Sequence, residues 1–359
     1  MKILYDEAHR FAAGFEPDTG FYYRTNQRDR AGQDIGRDPF MASFPHLLDV
    51  GIMGHCTHGL SGRCQRSGIE CYQSGGSRYQ PHMTLEDFRT IADQCEGRTF
   101  QFALGGRGDP DQHHQFEAIL STCREREIVP NFTTSGWGLD DTGARVCAEY
   151  CGAVAVSWQR APHTLRAVQT LLDAGVTTNI HFVLDQSSIN EAITMLTENR
   201  LPAGINRVIF LLHKPIGQGS RAKVLSIGDP RVAEFFELFN HEEYCEMGGF
   251  DSCSVPGLLN LSPKVHPASI ESCEGARFSA YVTSDMKLLP CSFDQDGRWA
   301  GDLRRSSIED LWSGRGFEDF RENLRSSCPD CLQRSACLGG CPIDPGIVLC
   351  EKRVGGEHA

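Results

Sequence analysis

Ten of this chain's sixteen cysteines fall into two groups whose spacing suits metal better than a hydrophobic core. The C-terminal group holds seven. Cys273 and Cys291 come first, then Cys328, Cys331, Cys337 and Cys341 in the spacing CX2CX5CX3C, and last Cys350. Thiolates this close together converge on zinc or iron. Seven exceed one four-ligand site, so at least two centres are implied. The other group is Cys56, Cys64 and Cys71, spaced CX7CX6C in a glycine-punctuated stretch from Gly54 to Tyr72. Three thiolates leave one position of a metal centre open, which is what a substrate-binding metal site needs.

The elements that must position these thiols are legible from periodicity. Apolar runs recur at 47–53, 99–104, 128–133, 153–158, 177–184 and 207–213. Helix-like stretches lie near 84–96, 111–126, 139–150, 162–174 and 187–198, with a sixth near 229–240. This alternation predicts parallel βα units with strands buried on both faces. Six units would form a partial or closed α/β barrel, with chemistry at the C-terminal ends of the strands. The first cysteine group follows the first strand. Residues 1–46 read as a polar, loop-like extension with a short strand at 21–25. Residues 241–272 read as a linker, and 351–359 as a polar, frayed tail.

Composition narrows the class further. The 40% hydrophobic and 23% charged content is ordinary for a globular protein. No apolar run is long enough for a membrane span, and the N-terminus lacks the apolar core of a signal peptide. A cytoplasmic location is expected, and there cysteines serve as ligands or free thiols rather than disulfides. A net charge of −12 argues against a nucleic-acid partner.

The C-terminal spacing and its flanking residues resemble the SPASM domain of radical SAM enzymes, which holds two auxiliary iron–sulfur clusters. One position departs: the family usually has Gly five residues before the second cysteine, where this chain has Met286. Cys56, Cys64 and Cys71 resemble the family's SAM-binding cluster site in their place after the first strand, although the usual spacing there is CX3CX2C. Gly105-Gly106-Arg107-Gly108-Asp109-Pro110 is similar to the family's Gly-Gly-Glu-Pro motif, with Arg107-Gly108 interposed and Asp in place of Glu. Short glycine-rich turns at strand ends allow close approach to a ligand. Segment 301–312, with Ser307-Ile308-Glu309-Asp310-Leu311-Trp312, resembles the turn and helix between the two halves of the domain.

The resemblance covers roughly residues 47–350 and implies a partial (β/α)6 barrel at 47–240 with a SPASM domain at 273–359. It implies three [4Fe-4S] clusters and S-adenosylmethionine as cofactors. Cys56, Cys64 and Cys71 would hold the SAM-binding cluster. Cys273, Cys291 and Cys341 would hold the first auxiliary cluster, with Cys253 the best fourth ligand. Cys328, Cys331, Cys337 and Cys350 would hold the second. Gly105, Gly106, Asp109, Thr134, Ser157 and Arg166 are the implied SAM contacts, Arg166 by position only.

Plainer readings stand beside these. Either cysteine group could bind structural zinc. His55 and His58 read as outer neighbours or surface residues. Gly105, Gly106 and Gly108 could form only a tight turn, and Thr134 and Ser157 could be satisfied strand-end hydroxyls. Cys95, Cys123, Cys147, Cys151 and Cys245 read as ordinary thiols in helical stretches. Asp251, Asp294 and Asp296 lie near auxiliary ligands, but spacing selects none of them as a base.

The implied activity is reductive cleavage of SAM to a 5′-deoxyadenosyl radical, which modifies a ribosomally made peptide or a protein side chain. A thioether or carbon crosslink, oxidation and epimerisation are the outcomes the family offers. Implied partners are the precursor peptide or protein and an electron donor such as flavodoxin or ferredoxin. Only about fifty residues precede the first cluster, so a leader peptide is expected to bind the barrel directly or through a separate protein. The alternatives are radical modification of a small metabolite and a non-catalytic zinc-binding protein.

Overall fold

Each of the six apolar runs forms a strand, and the strands pair in chain order. In the computed structural model, which describes residues 1–351, they are β4 (Leu47–Met53), β5 (Gln101–Gly106), β6 (Val129–Thr134), β7 (Val154–Ser157), β8 (Thr178–Leu184) and β9 (Arg207–Leu212). All five pairings between them are parallel. Parallel neighbours require crossovers, supplied by α1 (Leu85–Cys95), α2 (Phe116–Glu125), α3 (Asp141–Tyr150), α4 (Pro162–Asp173) and α5 (Ile189–Thr197), with α6 (Pro230–Leu238) after β9. The polar tail beyond Glu351 lies outside the described residues.

The sheet stays open. Its ten strands run β10-β9-β8-β7-β6-β5-β4-β11-β12-β13, where β10 is Gly248–Phe250 and the last three are Ser279–Val282, Lys287–Leu289 and Gly301–Asp302. β11 lies parallel to β4, pairing Ser279–Val282 with Leu47–Val50. β12 and β13 then follow antiparallel. The cysteine-rich region therefore continues the same sheet.

Side chains alternate across a strand, and here the two faces differ. Leu48, Val50, Ile52, Phe102, Leu104, Val156, Ile180, Phe182, Val208 and Phe210 are buried in the main core, which also holds Phe88, Ile119, Leu171 and Phe235 of the helices. The alternate positions Asp49, Ala103, Asn131, Thr133, Ser157, His181 and Ile209 are only partly buried. The expectation of strands buried on both faces thus holds for one face. The other is small, polar and partly accessible.

Two further expectations are corrected. Residues 1–46 are not loop-like throughout: β1 (Lys2–Asp6), β2 (Phe11–Phe15) and β3 (Tyr22–Arg24) form an antiparallel sheet. Its apolar side, with Phe11, Ala13 and Phe15, packs with Phe100, Val129 and Phe278. Strands this short among polar residues give little periodic signal. The stretch 241–272 is also more than a connection, since β10 extends the sheet beside β9 and α7 (Val255–Leu261) packs near α6.

The departure at Met286 has a backbone meaning. Met286 closes the β11–β12 turn with φ +68°, a conformation that favours glycine. Its side chain is buried, so apolar burial offsets the backbone strain.

The N- and C-terminal regions are joined through α8 (Ile308–Trp312), where the buried Trp312 donates from Nε1 to Ala42 O at 2.9 Å. Arg321 lies buried against Trp312 and donates to Trp312 O at 2.8 Å and to Ala276 O. Trp312→Phe leaves the Ala42 carbonyl without that donor, at a cost of about 1–3 kcal/mol. Anaerobic calorimetry is expected to show Tm lowered by several degrees with iron content unchanged.

Candidate metal centres

The loop after β4 folds its three cysteines towards one another. Cys56 caps the turn Thr57–Leu60, its Sγ accepting from Gly59 N at 3.3 Å. Cys64 sits in the next turn, Arg63–Arg66, within electrostatic reach of Cys56 and Cys71. Gly75 brings the two ends of the loop together. A Cβ there would stand 3.1 Å from Cys56 Cβ and 3.5 Å from Cys71 Sγ. Burial raises the Cys56 thiol and pushes that of Cys64 up to about 11, with neighbouring thiols adding to it.

Two strand-end loops press on this one. A Cβ at Gly108 would lie 2.9 Å from His55 O, and one at Gly217 would lie 2.2 Å from Tyr72 O. Gln218 N donates to Cys71 O at 3.0 Å. Arg107, interposed in the glycine motif, donates to Gln73 O at 3.1 Å and Gln80 Oε1 at 2.6 Å. It therefore fastens the end of β5 to the cysteine loop, a role its place in the motif did not suggest.

The implied SAM contacts are placed unevenly. Gly105 has open space where a Cβ would be, and Gly106 has φ +109° with its missing Cβ 2.4 Å from Met53 O. Asp109 accepts from Ser135 N at 2.9 Å and from the Ser135 hydroxyl, and lies 3.4 Å from His58 Nε2. Thr134 is buried, and its hydroxyl accepts from Gly136 N at 3.0 Å. Ser157 ends β7 beside His181 of β8. Arg166 is exposed on α4 and makes no hydrogen bond or ion pair among the described residues. His55 stacks between Tyr79 and His82, and His58 turns towards Asp109. Arg63 lies over Trp137, 3.6 Å from the ring centroid; neither residue was singled out from the sequence.

The second thiol set comes from four separate places. Cys253 follows β10, Cys273 precedes β11, Cys291 follows β12, and Cys341 comes from the C-terminal array. Cys341 is the neighbour that acts most strongly on the Cys253 thiol, and Cys273 and Cys253 both act on that of Cys291. The partner thiol of Cys341 and then burial raise Cys253. Burial pushes Cys273 up to about 12 and Cys291 higher still.

The third set, Cys328, Cys331, Cys337 and Cys350, lines one cavity of about 240 Å³ with Pro329, Gly339 and Val348. Burial raises the Cys337 thiol, followed by its three partners. Among the described residues, no three Cys, His, Asp or Glu side chains close on a single-ion position. These four surround a space instead, which suits a multi-iron group better than one zinc.

An aromatic pair joins the segments that carry the first two sets. Tyr72, next to Cys71, and Phe293, two residues after Cys291, have ring centroids 4.6 Å apart. The lumen wall beside them holds Asp49, a residue the sequence reading passed over. Its carboxyl makes no hydrogen bond among the described residues, and burial pushes it up to about 7. Further along, Thr133 Oγ1 and His181 Nδ1 are 3.2 Å apart, and burial holds His181 down to about 4.

Comparison with known proteins agrees with this architecture. Residues 273–332 match the family model described as the SPASM iron–sulfur cluster-binding domain. No curated protein matches the chain. Streptococcus suis SuiB bound to S-adenosylmethionine superposes with a TM-score of 0.66 at 15% identity, over 87% of this chain and 78% of SuiB. SuiB bound to its precursor peptide SuiA gives 0.65 at 15% identity, over 87% and 77%. The anSMEcpe protein with bound AdoMet and the Cp18Cys peptide gives 0.61 at 16% identity, over 83% and 89%. The fold is the one shared by SuiB and anSMEcpe, each solved with bound S-adenosylmethionine. No helix among the described residues is long and apolar enough to cross a membrane.

Asp49 gives a pH-dependent test. A carboxyl whose folded pKa is raised binds more protons folded than unfolded, so its contribution worsens as pH rises from about 4 to about 7. Asp49→Asn is expected to raise Tm relative to the parent at pH 8, and by less at pH 6. Equal differences at the two pH values would contradict the assignment. Gly75→Val should intrude on Cys56 and Cys71 and reduce bound iron by about four per chain, measured after anaerobic reconstitution.

Proposed function

We propose that this protein is a radical SAM enzyme that modifies a ribosomally made peptide or a protein side chain. The observation that carries the reading is the distribution of thiols. Three thiols lie in the loop at the C-terminal end of β4, and an aromatic contact between Tyr72 and Phe293 joins that loop to the segment carrying Cys291. A second four-thiol set lines its own cavity.

In this reading Cys56, Cys64 and Cys71 hold a four-iron cluster with one iron left for S-adenosylmethionine. Cys253, Cys273, Cys291 and Cys341 hold the first auxiliary cluster, and Cys328, Cys331, Cys337 and Cys350 the second. The chemistry supplied there, once cluster and cofactor are bound, is reductive cleavage of the sulfonium and removal of hydrogen from an unactivated carbon. The chain's own groups bind and orient. Asp109, held by the Ser135 amide and hydroxyl, would receive the amino group of the methionine moiety. Gly105 leaves room at the strand end for its backbone to be approached. Asp49, Ser157 and the Thr133–His181 pair line the space for the substrate residue, and the loops over β5 and β9 limit entry of water.

A peptide substrate is supported by likeness to two folds crystallised with peptides. The barrel is taken as residues 47–240 and the auxiliary domain as starting at 273, with 241–272 contributing Cys253. A cytoplasmic setting, a flavodoxin- or ferredoxin-type electron donor and a separate leader-binding protein belong to the same reading.

The test is 5′-deoxyadenosine formation by anaerobically reconstituted protein given S-adenosylmethionine and dithionite. Turnover is expected, and it should disappear in a Cys56/Cys64/Cys71→Ala variant. Asp109→Asn should weaken S-adenosylmethionine binding about ten-fold, equivalent to ~1.4 kcal/mol. A rate that rises with a small metabolite but with no peptide would move the substrate class away from peptides.

A further inference from the structure

Two buried cations stand beside the second thiol set: Arg277, which donates to Cys273 O at 2.9 Å, and Lys214. Lys214 follows β9, and its side chain is 4% exposed. Its Nζ donates to Asp251 Oδ2 at 2.7 Å and to Leu212 O at 2.9 Å. It also lies 4.4 Å from the ring centroid of Phe293. The thiols of Cys253 and Cys291 are both within its electrostatic reach. Asp251 is fixed in turn. It accepts from Leu212 N at 3.2 Å and from Ser254 Oγ at 2.8 Å. A lysine and an aspartate thus stand in fixed positions next to thiols from two different segments.

Buried ions are costly unless paired. A four-thiolate iron–sulfur cluster is an anion that becomes more negative on reduction. Its potential depends on local charge, hydrogen bonds and burial. A fixed cation favours the reduced form, and a fixed anion opposes it.

We propose that Lys214 and Asp251 are an opposed pair that sets the reduction potential of the cluster held by Cys253, Cys273, Cys291 and Cys341, Lys214 raising it and Asp251 lowering it. The inference rests on the assignment of those four thiols to one cluster. Lys214 is a positioning residue: it touches no reacting atom, and it acts on the cluster through charge. Because it follows β9, it also ties the last strand of the barrel to the auxiliary site.

The experiment is an EPR-monitored redox titration of the reconstituted full-length protein. A Cys273→Ala/Cys291→Ala variant first identifies the wave belonging to this site by its loss. Lys214→Met is expected to move that wave to more negative potential, since Asp251 is left uncompensated. Asp251→Asn is expected to move it to more positive potential, since Lys214 is left unopposed. Lys214→Arg should stay near the parent value, and the other waves should not move. A merely structural clamp cannot give shifts of opposite sign. Shifts in the same direction, no shift, or loss of the cluster's iron in Lys214→Arg would overturn the proposal. If no wave is lost in the Cys273/Cys291 variant, the cluster assignment fails, and the proposal fails with it.

Discussion

The parallel pairing of β11 with β4 is the constraint on which the rest depends. Four residues, Ser279–Val282, lie in register with Leu47–Val50. That ladder makes the start of the cysteine-rich region the continuation of the sheet. Cys273 and Cys291 flank the β11–β12 hairpin, and Cys56 opens the loop after β4, so one ladder fixes the relative position of two thiol sets. The Tyr72–Phe293 contact joins segments that follow the two sides of this ladder. Backbone hydrogen bonds hold this geometry before any thiol finds a ligand.

A second constraint is electrostatic. Burial raises most of the thiols in the three sets for which a shift is seen, so without metal these groups favour their neutral forms. Metal binding must displace those protons, which couples loading of the sites to their folded arrangement. The acidic chain, at −12, offers few buried cations to compensate. Lys214 and Arg277 are the buried cations beside the second set.

The βα alternation was legible in the sequence because apolar runs and amphipathic helices leave strong periodic signals. The grouping of the thiols into three sets was legible by spacing and resemblance. Other features were invisible for physical reasons. β10 is Gly-Gly-Phe, with little strand propensity of its own, and forms because β9 offers an unpaired edge. The N-terminal strands bury only one short apolar side. Asp49 and Lys214 are single charged residues in or next to strands, and only the folded sheet reveals that one faces the lumen and the other a thiol set. Arg107 looked like an interruption in a glycine motif, yet it fastens two strand-end loops together.

The central claim is that three separate thiol sets each hold an iron–sulfur cluster. Iron and acid-labile sulfide counts on anaerobically reconstituted protein test it most directly, in the parent and in three variants that each replace one set by alanine. The account predicts about twelve irons and twelve sulfides per parent chain, and about eight of each in every variant. Zinc without sulfide, or a count that any one set can lose without change, would contradict it.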